Sequence, residues 1–515
     1  MPHFSDSPTR RAGLWLTGFA LIGALLVWLY PDAEQQDSAN HFLFARWAVS
    51  HPRYFVSVWG RPLFTLVYFL PSQFGYPAAK LFTVALCLAT AWQTFRLADW
   101  LRLKRAELAV PLLFLQPVFF ALCSEVMTEA LFAFLFIIAL RLHLAGRIKT
   151  GMIVASLLIL VRPEGFFIGI LWGLWGLRIV NCELRNPQPQ DGWHQAQTAR
   201  LKFRQWIKEI RNPQFAIRIL QCLLLASGMV IWWLAAYWLT GDPLWILHNW
   251  PPDWQVDGQA NGTGPIWWYA ALLPLIAGIP LFVPFLVGLW KLLRSRELIF
   301  ATSSFLTLFV LHSLMFTQGW FGSAGYARYF VCVSPVTALI ALVGWNELAA
   351  KRPQLWIQTG SLILAALTCV VYLDSIRFSR DAFAVEEMYE WIDGNSTLID
   401  PSSADYHKRL ITSQAYPRTL LDRDPLENPA FTADAERNRE LIRQLPEGAL
   451  VLWEDDTGPK WYRLRAEDFQ AAGFELLKSQ DFKLQGYVVR LPWSRWGGWR
   501  SQRMHWLYKR PSPKP

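Results

Sequence analysis

Apolar and polar positions divide the chain into two unequal parts. Through residue 373, nine apolar runs approach or reach the roughly 20 residues that cross a bilayer as a helix. They lie at 12–30, 80–100, 108–123, 130–146, 216–239, 268–290, 298–316, 330–347 and 354–373. A further apolar stretch, 151–177, is interrupted by Arg162-Pro163-Glu164-Gly165. Each half holds about 13 residues, too few to cross roughly 30 Å of lipid at 1.5 Å per residue. Polar backbone at that depth needs a cavity lined by protein. The pattern therefore predicts a polytopic α-helical membrane protein with about eleven membrane segments over 1–375, and RPEG facing a cavity.

Beyond about 376 the period shortens. Helix-like pieces at 384–392, 432–444 and 466–479 are each followed by a strand-like piece, at 396–399, 449–453 and 486–491. That alternation predicts a small α/β domain over 376–515, outside the membrane. The closing stretch, 492–510, interleaves Trp with Arg and Lys. It reads either as a headgroup-contacting belt or as an ordinary last strand with a frayed end.

Loop charges orient the spans, because short cytoplasmic loops collect Lys and Arg. Arg10/Arg11, Arg102/Lys104/Arg105, Arg147/Lys149, Lys291/Arg294/Arg296 and Lys351/Arg352 mark one side. The loops around Ser124, at 242–264 and at 317–325 are almost without basic residues and mark the other. The N-terminus is then cytoplasmic, while the first loop (31–79) and the C-terminal domain are external. The first apolar run ends in WLYPDAEQQ rather than at a small-residue cleavage site, so it reads as an anchor. The basic loop 181–218 sets Leu201, Phe203, Trp206, Ile207 and Ile210 among Lys202, Arg204, Lys208 and Arg211, the pattern of a helix lying on anionic lipid.

Composition agrees with a membrane protein. Hydrophobic residues make up 53% and charged residues 17%, with 29 Trp and 34 Phe, which excludes a disordered chain. The net charge of +10 would point a soluble protein toward nucleic acid. Residues 374–515, however, hold 21 Lys and Arg against 22 Asp and Glu, so the whole excess sits in the membrane part. It is a topology signal, and no nucleic-acid partner is expected. The six Cys are scattered without a CxxC pair, which argues against structural zinc and against a disulfide framework. Neither GxxxxGK[ST] nor HExxH occurs. Asn261 and Asn395 head glycosylation-type triplets, a pattern short enough to arise by chance.

Ionisable groups at the membrane mark function, and four sets stand out on the external side. The first loop holds Asp32, Glu34, Asp37, His41, Arg46 and Arg61. Ser124-Glu125-Val126-Met127-Thr128-Glu129 lies between two apolar runs. RPEG contributes Arg162 and Glu164, and Gly325-Tyr326-Ala327-Arg328-Tyr329 leads into a late span. A carboxylate there can take a proton from an attacking hydroxyl, and arginines can grip a phosphate bidentately. Plainer roles exist for each: Glu125 as a helix cap, Arg61 and Arg328 as snorkelling side chains, and Asp32 and Glu34 as solvated loop residues.

At these residues the chain resembles the family 39-type integral-membrane glycosyltransferases of the GT-C fold class. That group includes protein mannosyltransferases and the aminoarabinose transferases of lipid A. The likeness rests on D-x-A-x-H-F-x-x-A-R (37–46), W-G-R-P (59–62), T-E-A-L-F (128–132), R-P-E-G (162–165) and R-Y (328–329), spread over most of 12–350. The resemblance implies transfer of a sugar from a polyprenyl-phosphate donor to a lipid, glycan or protein acceptor on the non-cytoplasmic face, with inversion. It implies a bacterial inner-membrane location. An acidic first-loop residue would be the base: Asp37, with Asp32 and Glu34 as alternatives, because this chain reads D-A-E and D-S where many members have an adjacent D-E pair. Glu129 would position the acceptor or a divalent metal ion. Arg61, Arg162 and Arg328 would receive the leaving lipid phosphate, with His41, Arg46, Glu125, Glu164 and Tyr326 as further substrate contacts. The competing readings are a transporter or flippase of a lipid-linked substrate, which would call for a midplane site and repeated halves, and a non-catalytic scaffold whose external tail recruits partners. No internal repeat is visible in the sequence.

Overall fold

The computed structural model describes residues 7–30, 36–178, 220–250, 263–351, 354–377, 410–412, 422–427, 431–432, 434–455, 457–484 and 500–509, with isolated positions at 387–388, 390–391, 394 and 419. Asp32, Glu34, the helix expected at 201–211 and the strands expected at 396–399 and 486–491 lie outside these residues.

The first part is a multi-pass helical membrane fold. Its helices are α1 (Pro8–Leu29), α2 (Gln36–Arg46), α3 (Pro62–Ser72), α4 (Tyr76–Trp100), α5 (Ala109–Phe114), α6 (Pro117–Leu122), α7 (Thr128–Leu144), α8 (Ile148–Ser156), α9 (Glu164–Arg178), α10 (Ser227–Thr240), α11 (Trp268–Ala277), α12 (Phe282–Ser295), α13 (Ile299–Gln318), α14 (Ser334–Lys351) and α15 (Leu355–Arg377). Among the described residues six helices are long and apolar enough to span a bilayer, or seven if a bent pair counts as one. The sequence count of eleven includes runs that the backbone breaks. The run at 108–123 is two short helices, α5 and α6, because Pro117 cannot continue the first and instead starts the second. The run at 268–290 turns by 109° between α11 and α12, where Gly278 adopts a φ of 96° and Pro280 follows. The break at RPEG falls where the interrupted pattern placed it, between a 3-10 turn ending at Leu160 and the start of α9.

Burial sorts the helices. Most residues of the span over Ala327–Lys351 are buried among its neighbours, whereas few of those in Leu355–Leu373 are, and that helix lies at the outside of the bundle. α12 and α14 approach so closely that side chains are excluded. A Cβ on Gly288 would lie 1.9 Å from the Ile340 carbonyl oxygen, and one on Gly344 1.8 Å from that of Pro284. This contact fixes α14 and hence the 3-10 helix Ala327–Val333 that runs into it.

The C-terminal part contains a four-stranded sheet of β1 (Leu410–Thr412), β2 (Leu450–Glu454), β3 (Phe474–Leu484) and β4 (Arg500–Lys509), in the order β1-β2-β4-β3. β1 and β2 are parallel, and the other two pairings are antiparallel. Three helices accompany it: α16 (Ala435–Arg443), α17 (Thr457–Tyr462) and α18 (Ala466–Ala471). Every residue of β2 is buried, because both faces of the sheet are covered. Val451, Trp453 and Leu507 pack with Ile442 and Phe469, while Leu450, Leu452, Met504 and Trp506 belong to the apolar cluster continuous with the membrane part. One sequence expectation changes here, and one of two alternatives is taken. The helix expected over 466–479 ends early, and strand β3 begins at Phe474, because Gly473 with a φ of 91° stops the helix. Residues 500–509 of the basic aromatic tail are a strand whose Trp506 is buried in the sheet, not a belt on headgroups.

Candidate active site

Four sequence-distant segments meet at the start of α2. Asp37 lies in its first turn. Arg328 comes from the 3-10 helix before α14, Glu129 from the first turn of α7, and Arg162 and Glu164 from the break before α9. Each sits at a helix start or break, where backbone groups are unpaired and side chains converge.

The charges alternate. Asp37 pairs with Arg328, whose Nε lies 3.7 Å from Glu129 Oε1. Glu129 Oε1 is also 2.8 Å from Arg162 Nη1. Arg162 donates two hydrogen bonds to Glu164, at 2.7 and 3.1 Å, and one to the Thr128 hydroxyl at 2.9 Å. His312 Nε2 closes the chain 3.6 Å from Glu164 Oε1. Aromatic faces back the cations: Arg328 lies 4.6 Å from the centre of the Tyr326 ring, and Arg162 5.5 Å from that of Tyr329. The Glu129 side chain is fully buried, whereas that of Asp37 is 39% accessible. The network is therefore closed at its centre and open at Asp37.

Asp37 and His41 lie one turn apart on α2, outside the spanning helices. Burial by itself would raise the Asp37 carboxyl, but the adjoining Arg328 guanidinium outweighs it, helped by His41 and Arg162, and the carboxyl is held below its ordinary range. Burial pushes the His41 imidazole down to about 3, against the pull of Asp37 and reinforced by Arg61, Arg162 and Arg328. His41 is thus neutral at physiological pH. Its ring stacks on Trp59, 4.6 Å between centres, which ties W-G-R-P to α2.

Glu125 joins through a second polar set. Ser38, the residue after Asp37, accepts the Val126 N–H at 2.8 Å and hydrogen-bonds the Tyr76 hydroxyl. Tyr76 donates to Glu125 at 3.2 Å, and Glu125 lies 3.3 Å from the fully buried Lys80 ammonium. Two expected members are placed otherwise. Arg46 is committed to Asp422 and to the Gln73 carbonyl. Arg61 donates to the Val58 carbonyl at 2.8 Å from a backbone φ of 64°, an unusual conformation for a side-chain-bearing residue, and its charge acts on His41. Lys80, Tyr76 and His312 do not stand out in the sequence as site residues, and Tyr329 does so only as part of R-Y. An ionisable residue within an apolar run, as Lys80 and His312 are, was the signal that could have found two of them.

A divalent metal at Glu129 does not fit this arrangement. Its carboxylate already touches two guanidinium groups, whose positive charge opposes a cation beside them. Among the described residues no group of three or more His, Cys, Asp or Glu is disposed to hold a metal ion.

With the geometry established, known structures can be compared. Two crystal structures of ArnT from Cupriavidus metallidurans align with 96% of this chain and 98% of theirs, one bound to undecaprenyl phosphate (TM-score 0.58) and one in the apo state (TM-score 0.57). The fold is that of ArnT. It is the GT-C fold expected from the sequence, retained at 13% identity to ArnT. No protein-family model and no curated protein sequence matches the chain.

Proposed function

We propose that this chain is a membrane glycosyltransferase. It moves a sugar from a polyprenyl-phosphate donor to a lipid, glycan or protein acceptor at the non-cytoplasmic face of a bacterial inner membrane. The observation that carries the reading is the convergence of Asp37, Glu129, Arg162, Glu164 and Arg328 on one cluster. It sits within a fold shared with a protein crystallised with undecaprenyl phosphate.

The chemistry follows from the charges. Asp37 takes the proton of the acceptor hydroxyl as its oxygen bonds the anomeric carbon, and the bond from that carbon to the phosphate oxygen breaks. Polyprenyl phosphate leaves with the electron pair, and one displacement inverts the centre. Paired to Arg328, Asp37 is a weak base. The donor phosphate competes for that guanidinium, and once Arg328 turns to it the carboxylate regains basicity. In that state only Arg162 faces the three carboxylates, Asp37, Glu129 and Glu164, and of these Asp37 is the accessible one. Glu129 and Glu164 hold Arg162 in place, and Glu129 orients Arg328 from behind.

The test uses purified protein in lipid nanodiscs with undecaprenyl-phosphate-linked sugars, scored by covalent transfer. Asp37→Asn is expected to lower turnover by about 100- to 10,000-fold, the range for removal of a positioned base. Unchanged transfer by Asp37→Asn combined with Asp32→Asn and Glu34→Gln overturns the reading. So does movement of a lipid-linked substrate across vesicles without covalent product.

A further inference from the structure

The helix that carries Asp37 is also gripped from the C-terminal part. α2 holds Asp37 in its first turn and Arg46 in its last, about 14 Å apart along the axis at 1.5 Å per residue. Three contacts join α2 and the turn after it to Thr419, Asp422 and Asp424. The Thr419 hydroxyl donates to the Ala39 carbonyl at 3.5 Å. Asp422 receives the Arg46 guanidinium bidentately at 2.6 and 3.0 Å. Asp424 pairs with His51. The contacts follow the same order along both segments.

The turn is shaped to present both carboxylates. Asp422 adopts a φ of 49°, a conformation that Asp tolerates better than most residues. Asp424 spends Oδ1 on the Leu426 N–H at 2.9 Å, leaving Oδ2 for His51. On the opposite side Arg46 donates to the Gln73 carbonyl at 2.9 Å, and the Gln73 side-chain amide donates back to the Arg46 carbonyl at 3.0 Å. Arg46 thus joins α2, the end of α3 and the C-terminal segment.

We infer that Asp422, assisted by Asp424, is a positioning residue: the C-terminal part clamps α2 through Arg46 and His51, and the clamp sets where Asp37 stands opposite Arg328. The inference rests on the proposed role of Asp37. An exposed ion pair alone stabilises little, because solvent screens it. This one differs in being bidentate and pre-fixed by Gln73, and it acts on a short rigid rod whose other end holds the base. A misplacement of about 1 Å at a reacting group costs on the order of 100-fold in rate.

The experiment is a charge-reversal cycle in the full chain in nanodiscs: Arg46→Asp, Asp422→Arg and the two combined. Asp422→Asn serves as a milder variant. Asp481→Asn, from the exposed pair with Arg503 on the sheet, is the control. The first readout, thermal midpoint and limited proteolysis, needs no donor. Each single reversal is expected to lower protection and the double reversal to restore it; strictly additive effects overturn the clamp. The second readout is transfer, with undecaprenyl phosphate as the binding probe. Asp422→Asn and Asp422→Arg are expected to lower kcat by about 10-fold or more with the probe's Kd unchanged, and the double reversal to recover most of the loss. Restored protection with kcat unchanged throughout overturns the positioning role. A wild-type chain that transfers nothing from any such donor overturns the function and the positioning role together, and the first readout alone still decides the clamp.

Discussion

Asp37 and Arg328, 291 positions apart in the chain, form one ion pair at the open end of a buried charge network. On the proposed mechanism the pair makes Arg328 a shared resource for base and leaving group. Arg328→Gln is expected to free the Asp37 carboxyl and also to remove the phosphate's partner. The second effect dominates, because charge develops on the leaving phosphate in the transition state. Turnover should fall by roughly 100- to 1,000-fold, the scale for losing one positioned donor. Arg328→Lys, a point charge without the planar fork, should recover only part of it. Steady-state transfer across the three proteins checks this; equal rates for Lys and Arg would show that the fork is irrelevant.

His41 predicts a pH dependence of stability. Its folded pKa of about 3 lies below the ordinary 6.5, so the unfolded chain binds the proton first as pH falls. Stability is unaffected above about 6.5 and is lost progressively toward about 3, with a limiting slope near 1.4 kcal/mol per pH unit. Asp37 acts in the same direction but lower, below its ordinary 3.8. Asp37 contributes little between pH 6.5 and 4.5, and comparing wild type with a His41 variant in that window separates this histidine from the others in the chain. His41→Gln is expected to flatten the slope in that window. An unchanged slope would mean that the imidazole does not resist protonation in the folded state.

Lys80 and Glu125 test whether a buried pair must be treated as a unit. The Lys80 side chain is fully buried and that of Glu125 nearly so, at 3.3 Å. Lys80→Met leaves a carboxylate enclosed without its cation and is expected to cost about 3–5 kcal/mol. Adding Glu125→Gln removes the stranded charge and should return most of that loss, since the Tyr76 hydroxyl still has an amide oxygen to donate to. Chemical or thermal unfolding of both single variants and the double variant measures the coupling. Additive losses would contradict a direct pair.

Much of this was legible in the chain, and the limits are physical. Glu129, Arg162, Glu164 and Arg328 could be singled out because charge is costly at a membrane and each stood beside or within an apolar run, whereas Asp37 was preferred over Asp32 and Glu34 only through the family resemblance. RPEG was readable as a break because neither half could span lipid. Lys80 and His312 were not singled out, because each lay within a run whose average is apolar, and hydropathy averages dilute a single ionisable side chain. Similar averaging concealed the breaks at Pro117 and at Gly278, although both residues are visible backbone signals. The Arg46–Asp422 contact joins residues 376 positions apart, and nothing local in either segment names the other. The start of β3 was misplaced because Phe474 to Ser479 carries no strict alternation, and only Gly473 marks the stop.

The α12–α14 crossing offers a test of how the bundle holds Arg328. A Cβ on Gly344 would stand 1.8 Å from the Pro284 carbonyl oxygen and 2.6 Å from the Gly288 nitrogen, both backbone atoms that cannot swing away. Gly344→Ala must therefore separate the helices, at a cost of about 3 kcal/mol or more. Gly360, on the outer α15, meets nothing within 4 Å. Gly360→Ala should be neutral or stabilise by up to about 1 kcal/mol, since alanine favours a helix interior over glycine. Thermal midpoints of the two variants should move in opposite directions, or only the first should fall. Because Arg328 lies six residues before α14 begins at Ser334, Gly344→Ala is also expected to lower transfer under conditions where the protein remains folded, while Gly360→Ala leaves it intact. Equal stability of the two variants would mean that the close crossing is not what fixes α14, and that Arg328 is held from the Tyr326 and Glu129 side alone.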